Sequence, residues 1–124
     1  MSTWSDDELR RIAEVDDLHI APYREDNVTY GTPTWIWSVV VNGALYARAY
    51  NGTASSWYKA ALRQKAGRIT VAGMKRAVTF EAAAALAPEI DAAYQAKYGS
   101  SPYLSAMTAD RARAATVLIS PAKS

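Results

Sequence analysis

The sequence predicts a small, mainly β barrel (α+β) of six or so strands with peripheral helices, formed by one domain over residues 1–124. Three observations carry this expectation. Strand-length segments rich in β-branched and aromatic residues recur along the chain with turn residues between them. Two of these flank Asn42-Gly43, a pair suited to a type I′ hairpin because that turn needs positive φ at both central residues. A doubly wound sheet would need regular strand–helix alternation and a Gly-rich phosphate loop after the first strand, and the chain has neither.

A helix is expected over about 5–15. Ser5 and Glu8 have the spacing of a capping box, and Trp4 and Leu9 that of a hydrophobic staple. Asp6, Asp7 and Glu8 complement the helix dipole, so helix initiation accounts for them without a catalytic carboxylate pair. Leu9, Ile12 and Ala13 mark the buried face. The barrel is expected over about 18–81 with a last strand at about 115–120. Within it, residues 18–24 read as a strand, Glu25-Asp26-Asn27 as a turn and 28–32 as the returning strand. Pro33 interrupts the ladder before a strand over 34–41.

The two-residue turn fixes the register of the hairpin. Val41 faces Ala44, Val40 faces Leu45, Val39 faces Tyr46 and Ser38 faces Ala47; continued outward, Trp37 faces Arg48, Ile36 faces Ala49 and Trp35 faces Tyr50. Alternation then gives one face of small and aliphatic residues, Ile36, Ser38, Val40, Leu45, Ala47 and Ala49, suited to a narrow barrel interior. The other face carries Trp35, Trp37, Val39, Tyr46, Arg48 and Tyr50, too aromatic for open water, and is expected to meet a second subunit or a ligand.

Beyond the hairpin, 57–64 reads as a helix with Ser55 or Ser56 at its N-cap and Gly67 as its stop. Strands are expected over 68–72 and 75–81. A helix over about 88–98 carries Ile90, Ala93, Tyr94 and Lys97 on one side and ends at Gly99. Thr108 is placed to cap a short helix through 113, and 116–120 reads as the closing strand. Only 82–85 approaches low complexity.

Composition excludes several chemistries. No cysteine means no disulfide, thiolate metal site or cysteine nucleophile, and a single histidine rules out a His-rich metal site or paired-histidine catalysis. The N-terminus lacks the basic and apolar blocks of a signal peptide, and no apolar run approaches a membrane span, so a soluble cytoplasmic protein is expected. The net charge of +2 conceals a polarised chain: six of the twelve acids lie in the first seventeen residues. No acid falls between Asp26 and Glu81, where Arg48, Lys59, Arg63, Lys65, Arg68, Lys75 and Arg76 stand. These bases are spread over separate elements rather than one stripe, which disfavours nucleic acid as the partner.

The polar loop 51–59 follows the aromatic hairpin inside that window. Basic side chains, hydroxyls and a glycine beside aromatic strands suit a small ligand with an anionic end and a flat ring. Arg48 and Lys59 read either as phosphate ligands or, respectively, as a guanidinium stacked on Trp37 and a solvated helix charge. Ser55 and Ser56 read as N-caps, which beside a bound anion would serve both purposes. His19 is the default acid or base, but no positioned partner can be named, and a half-exposed strand histidine is the favoured reading. Trp35, Trp37, Trp57 and Tyr58 suit packing or a ring stack. Tyr94, Lys97, Tyr98, Pro102 and Tyr103 suit a pocket mouth or a helix docked on the barrel.

Thr-Pro-Thr-Trp, a valine-rich strand, Asn-Gly, Leu-Tyr-Ala-Arg-Ala-Tyr-Asn-Gly and a Ser-Ser-Trp-Tyr helix start occur in that order. With Leu18-His19-Ile20-Ala21-Pro22 and Asp91 to Tyr98, this pattern resembles the bacterial DUF2255 family over nearly the whole chain. More distantly, residues 32–59 are similar to the flavin- and deazaflavin-binding split β-barrels, which implies a six-stranded split barrel of the FMN-binding type. The resemblance further implies a homodimer with FMN or a deazaflavin at its interface and an oxidoreductase activity. By position Arg48, Tyr50, Asn51, Ser55, Ser56, Trp57 and Lys59 would contact the cofactor. Trp35 and Trp37, with Tyr50, would either shelve its ring or fill the ring's place. In the latter case the chain would be a non-enzymatic small-ligand binder or a dimeric interaction protein.

Overall fold

The computed structural model describes every residue except 1–3, 16, 27, 51, 84–86, 100, 103 and 123–124. Asn27, Asn51, Tyr103 and part of the alanine run singled out above therefore lie outside the described residues.

Helix α1 (Asp6–Ala13) starts as expected: the Ser5 hydroxyl accepts from the Glu8 amide at 3.1 Å, and the Glu8 carboxylate accepts from the Ser5 amide at 3.0 Å. Leu9 and Ile12 turn inward, whereas Ala13 is exposed. Buried Trp4 donates from its indole Nε1 to the Ile119 carbonyl at 2.9 Å, pinning the helix start to the last strand.

Seven strands follow: β1 (His19–Pro22), β2 (Thr34–Trp35), β3 (Ser38–Val41), β4 (Ala44–Arg48), β5 (Ala66–Val71), β6 (Met74–Ala82) and β7 (Thr116–Pro121). They form one antiparallel sheet in the order β2-β1-β5-β6-β7-β4-β3. The hairpin register is the expected one over four pairs, from Val41–Ala44 to Ser38–Ala47. Asn42 and Gly43 take φ of 52° and 78°, as a type I′ turn requires.

Two strand expectations are corrected. Residues 28–32 make only a single bridge, Tyr23 to Tyr30, because Asp26 folds the segment into a turn by accepting from the Val28 and Thr29 amides at 2.9 Å. Residues 34–41 do not form one strand. Thr34 and Trp35 pair with β1, and the Ile36 amide still donates to the Leu18 carbonyl, but Ser38 has crossed to pair with β4. The pairs proposed beyond Ser38 therefore do not form a ladder, and the sheet has seven strands rather than six.

That break dictates the shape. β2 and β3 are the two edges of the sheet, yet only Ile36 and Trp37 separate them in sequence. Three residue steps span at most ~11 Å, so the sheet must curl until its edges nearly meet. The result is a curled half-barrel with a seam at Ile36-Trp37, consistent with a split-barrel-like α+β fold.

The two hairpin faces separate as expected. Ile36, Leu45, Ala47 and Ala49 enter the main core with Ile20, Ile69, Phe80 and Ile119, closed by Leu9 and Ile12 of α1 and by Trp57, Tyr58 and Ala61 of α2 (Ser56–Gln64). On the other face, Val39, Val41 and Tyr46 pack under Ile90, Tyr94 and Tyr98 of α3 (Ala87–Tyr98) and under Met107 at the end of α4 (Leu104–Met107). The chain's own helix thus covers most of the face expected to meet a partner. Burying each such side chain contributes about 1.5–3 kcal/mol, which compensates for the short strands beneath.

Three local details also differ. Helix α2 ends at Lys65, whose left-handed φ of 60° makes the stop, while Gly67 lies within β5. There a Cβ would come within 2.5 Å of the Ala21 carbonyl oxygen, so the glycine permits close strand approach. Helix α5 (Asp110–Ala114) starts after Ala109 rather than Thr108, whose hydroxyl donates back to the Leu104 carbonyl. No described helix is long and apolar enough to cross a membrane.

Candidate functional site

The seam encloses a cavity of about 580 Å³. Its walls are Thr34, Trp35, Ile36 and Trp37 at the break, Arg48 and Tyr50 at the end of β4, Ser55, Ser56 and Trp57 at the start of α2, and Met107. The break in the β-ladder that curls the sheet therefore also opens the cavity. Of the residues singled out in the sequence, Trp35, Trp37, Arg48, Tyr50, Ser55, Ser56 and Trp57 come together here. Lys59 is exposed and lies off the walls, and Asn51 is outside the described residues.

Arg48 is 1 % exposed. Its guanidinium donates to the Asp91 carboxylate, to the Met107 carbonyl at 3.0 Å and to the Thr116 hydroxyl at 3.2 Å. The other oxygen of Asp91 is held by Arg113, whose Nε donates at 3.0 Å. Burial pushes the Asp91 carboxyl up, but the bonds from Arg113 and Arg48 outweigh it and hold the group below the usual carboxylate range. Two guanidiniums share this one carboxylate. Asp110 lies 3.3 Å from Arg113 with its side chain in solvent, where its charge is screened.

Stacking of Arg48 on Trp37, expected from the extended register, is replaced by two other contacts. Trp37 lies flat on Tyr98, ring centroids 4.0 Å apart and 2° from parallel, and the Arg48 guanidinium sits 5.5 Å from the Tyr94 ring centroid. Tyr94 is wholly buried, which pushes its phenol far above the ordinary range and keeps it neutral. It therefore serves both ways, accepting from the Arg48 amide at 3.0 Å and donating to the Trp37 carbonyl at 3.1 Å. Lys97 adds a bond from Nζ to the Ser38 carbonyl at 2.8 Å. Tyr94, Lys97 and Tyr98 accordingly dock α3 on the barrel, and exposed Pro102 stands outside that contact.

Ser55 occupies the N-cap of α2 with an extended backbone, but its hydroxyl makes no capping bond. The hydroxyl and the helix start face the cavity, where orphan amides of a first turn favour acceptors and anions. Trp35 and Tyr50 stand at the mouth, 54 % and 43 % exposed. Among the described residues the walls hold no carboxylate and no imidazole. His19 is half-exposed on β1, off the cavity, with Nδ1 2.9 Å from the Asp17 carbonyl, which can only accept. Among the described residues no cluster of three His, Cys, Asp or Glu could hold a metal.

Nothing in the sequence marks Asp91, Arg113 or Met107 for this site, because each arrives from a distant segment. Thr34 and Ile36 had a signal, their adjacency to Trp35.

The model of a family described as an uncharacterized protein conserved in bacteria, DUF2255, matches residues 8–119. The chain belongs to the DUF2255 family. The DUF2255 span runs from within α1 into β7 and so contains every cavity residue. Among curated proteins and among solved structures, none matches the chain significantly.

Proposed function

We propose that the seam cavity binds a small molecule with a flat aromatic ring and a polar or anionic edge. One observation carries the reading: a half-open cavity with four aromatic side chains in its wall, Trp35, Trp37, Tyr50 and Trp57, and polar ones, among them Ser55, Ser56 and Arg48, beside the start of α2. Trp35, Trp37 and Tyr50 supply flat walls, and the serine hydroxyls and α2 start supply donors. Because the walls carry no acid–base pair, any reaction there must draw its chemistry from the ligand.

The finer reading is a flavin- or deazaflavin-dependent oxidoreductase. The cavity's volume and aromatic walls suit an FMN or deazaflavin ring, and such a cofactor when bound would supply the hydride chemistry. The phosphate clamp expected at Arg48 and Lys59 does not suit this geometry, since Arg48 is already engaged by Asp91 and Lys59 stands off the walls. A chain that bound the ring without accepting electrons would be a non-enzymatic small-ligand binder. A homodimer belongs to the same proposal, with the exposed Trp35 and Tyr50 as the part of the hairpin left for a second copy.

Titration of the purified protein with FMN and with a deazaflavin, followed by visible absorbance, tests the reading. Saturable spectral shifts that Trp35→Ala weakens are expected. A protein indifferent to both cofactors overturns the flavin reading, and one that binds but is never reduced in the bound state leaves only the binder.

A further inference from the structure

We propose that the ligand of the seam cavity is elongated, with its ring at the seam and a phosphate-bearing tail lying along α2 to Arg63, flanked by Arg24. This rests on the ring-site reading above and adds a second compartment to it. A groove of about 590 Å³ adjoins the seam cavity, and Thr34, Ser56 and Trp57 line both. The two compartments therefore share a wall, in which Trp57 belongs to the core while Thr34 and Ser56 are exposed.

Their characters differ in the way an amphipathic ligand needs. The seam side has three tryptophans and a tyrosine in its wall, while the groove carries Arg24, Glu25, Asp26 and Arg63. From Ser56 through Ala60 to Arg63, one side of α2 forms the groove wall. Seven residues of helix rise ~10 Å, which sets the distance from the ring compartment to the distal charge.

The groove's formal charges cancel, two arginines against two carboxylates, and Asp26 stays ionised, so the case for Arg63 rests on its geometry rather than on net charge. Asp26 turns both oxygens into its own turn: Oδ1 accepts from the Val28 and Thr29 amides and Oδ2 from the Thr29 hydroxyl at 2.6 Å. Among the described residues no carboxylate pairs with the exposed Arg63 guanidinium. Its planar fork suits a phosphate, and Arg24 lines the same groove, where its charge already acts on Asp26. The tail's anion thus has a receptor distinct from Arg48, whose donors are already engaged at the core.

Riboflavin and FMN share a ring and a ribityl chain and differ in the phosphate, so their fluorescence titrations separate the two compartments. FMN is expected to bind more tightly than riboflavin. Arg63→Gln should weaken FMN about tenfold, the scale of one charge-assisted bond, and leave riboflavin unchanged. Lys59→Gln removes the same charge from the same helix but off both walls, and should change either affinity by less than about twofold. Trp35→Ala should weaken both ligands alike. Equal affinity for the two flavins, or an FMN preference that survives Arg63→Gln, overturns the tail compartment while the ring site stands. Binding of neither flavin overturns the ring site and the tail together.

Discussion

At the scale of single residues, the Arg48–Asp91 pair holds the cavity wall in place. Both sides of Asp91 are engaged, by Arg48 from β4 and by Arg113 from α5. Removing the carboxylate leaves a buried guanidinium without its counter-charge, a loss on the order of 3–5 kcal/mol. Asp91→Ala is accordingly expected to lower stability by about that amount in urea unfolding, with Asp91→Asn milder because one hydrogen bond survives. The sign with pH follows from the depressed carboxyl. Its stabilisation is complete above the unfolded value of ~3.9 and is lost as pH falls through the lower folded value. Unfolding free energy should therefore decline on acidification below about pH 4, and the Asp91→Asn variant should show a shallower decline. Arg48 stood out in the sequence as the lone cation on an aromatic strand face. Its partner did not, because Asp91 is 43 positions away and an acid near a helix start is ordinarily read as solvated.

The elements divide by whether local chemistry decides them. The capping box, the Asn42-Gly43 turn and the register beside it were legible because each is settled within a few residues. The break at Ile36-Trp37 was not, since alternation runs through it without interruption; it is imposed by two sheet edges that only the folded chain brings together. Gly43 and Gly67 show the same contrast and can be tested as a pair. A Cβ at Gly43 would meet nothing within 4 Å, so Gly43→Ala costs only the left-handed backbone, about 1–2 kcal/mol. At Gly67 the backbone is ordinary but the Cβ would press on the Ala21 oxygen and the Pro22 Cα at 2.6 Å. Thermal unfolding is expected to rank Gly67→Ala as the more damaging, because backbone on a paired strand cannot give way as a side chain can.

For the whole molecule, the cavity was legible and the groove beside it was not. Residues 34–37, 48–50 and 55–57 belong to consecutive elements, so hairpin register and loop chemistry already gather them. The groove joins 22–26 to 60–63, and nothing local relates those segments. The expected partner face was half legible: the aromatic side of the hairpin does need covering, but α3 supplies most of the cover. What remains at the mouth is Trp35 and Tyr50, and a dimer through them should appear in light scattering and weaken with Trp35→Ser. A monomer at every concentration would remove the second copy from the proposal and leave Trp35 as a wall for the ligand alone.

The place of β7 has a consequence for the chain as it is made. The strand that comes last in sequence sits between β6 and β4, pairing Leu45 with Ile119 and Phe80 with the same residue from the other side. Until residues 116–121 leave the ribosome, the β3–β4 hairpin has no neighbour in the sheet. Folding from the N-terminus cannot proceed strand by strand. It has to wait for long-range closure, which ranks such topologies among the slower folders. The seam between β2 and β3 is therefore fixed in the sheet only when β7 joins β6 to β4.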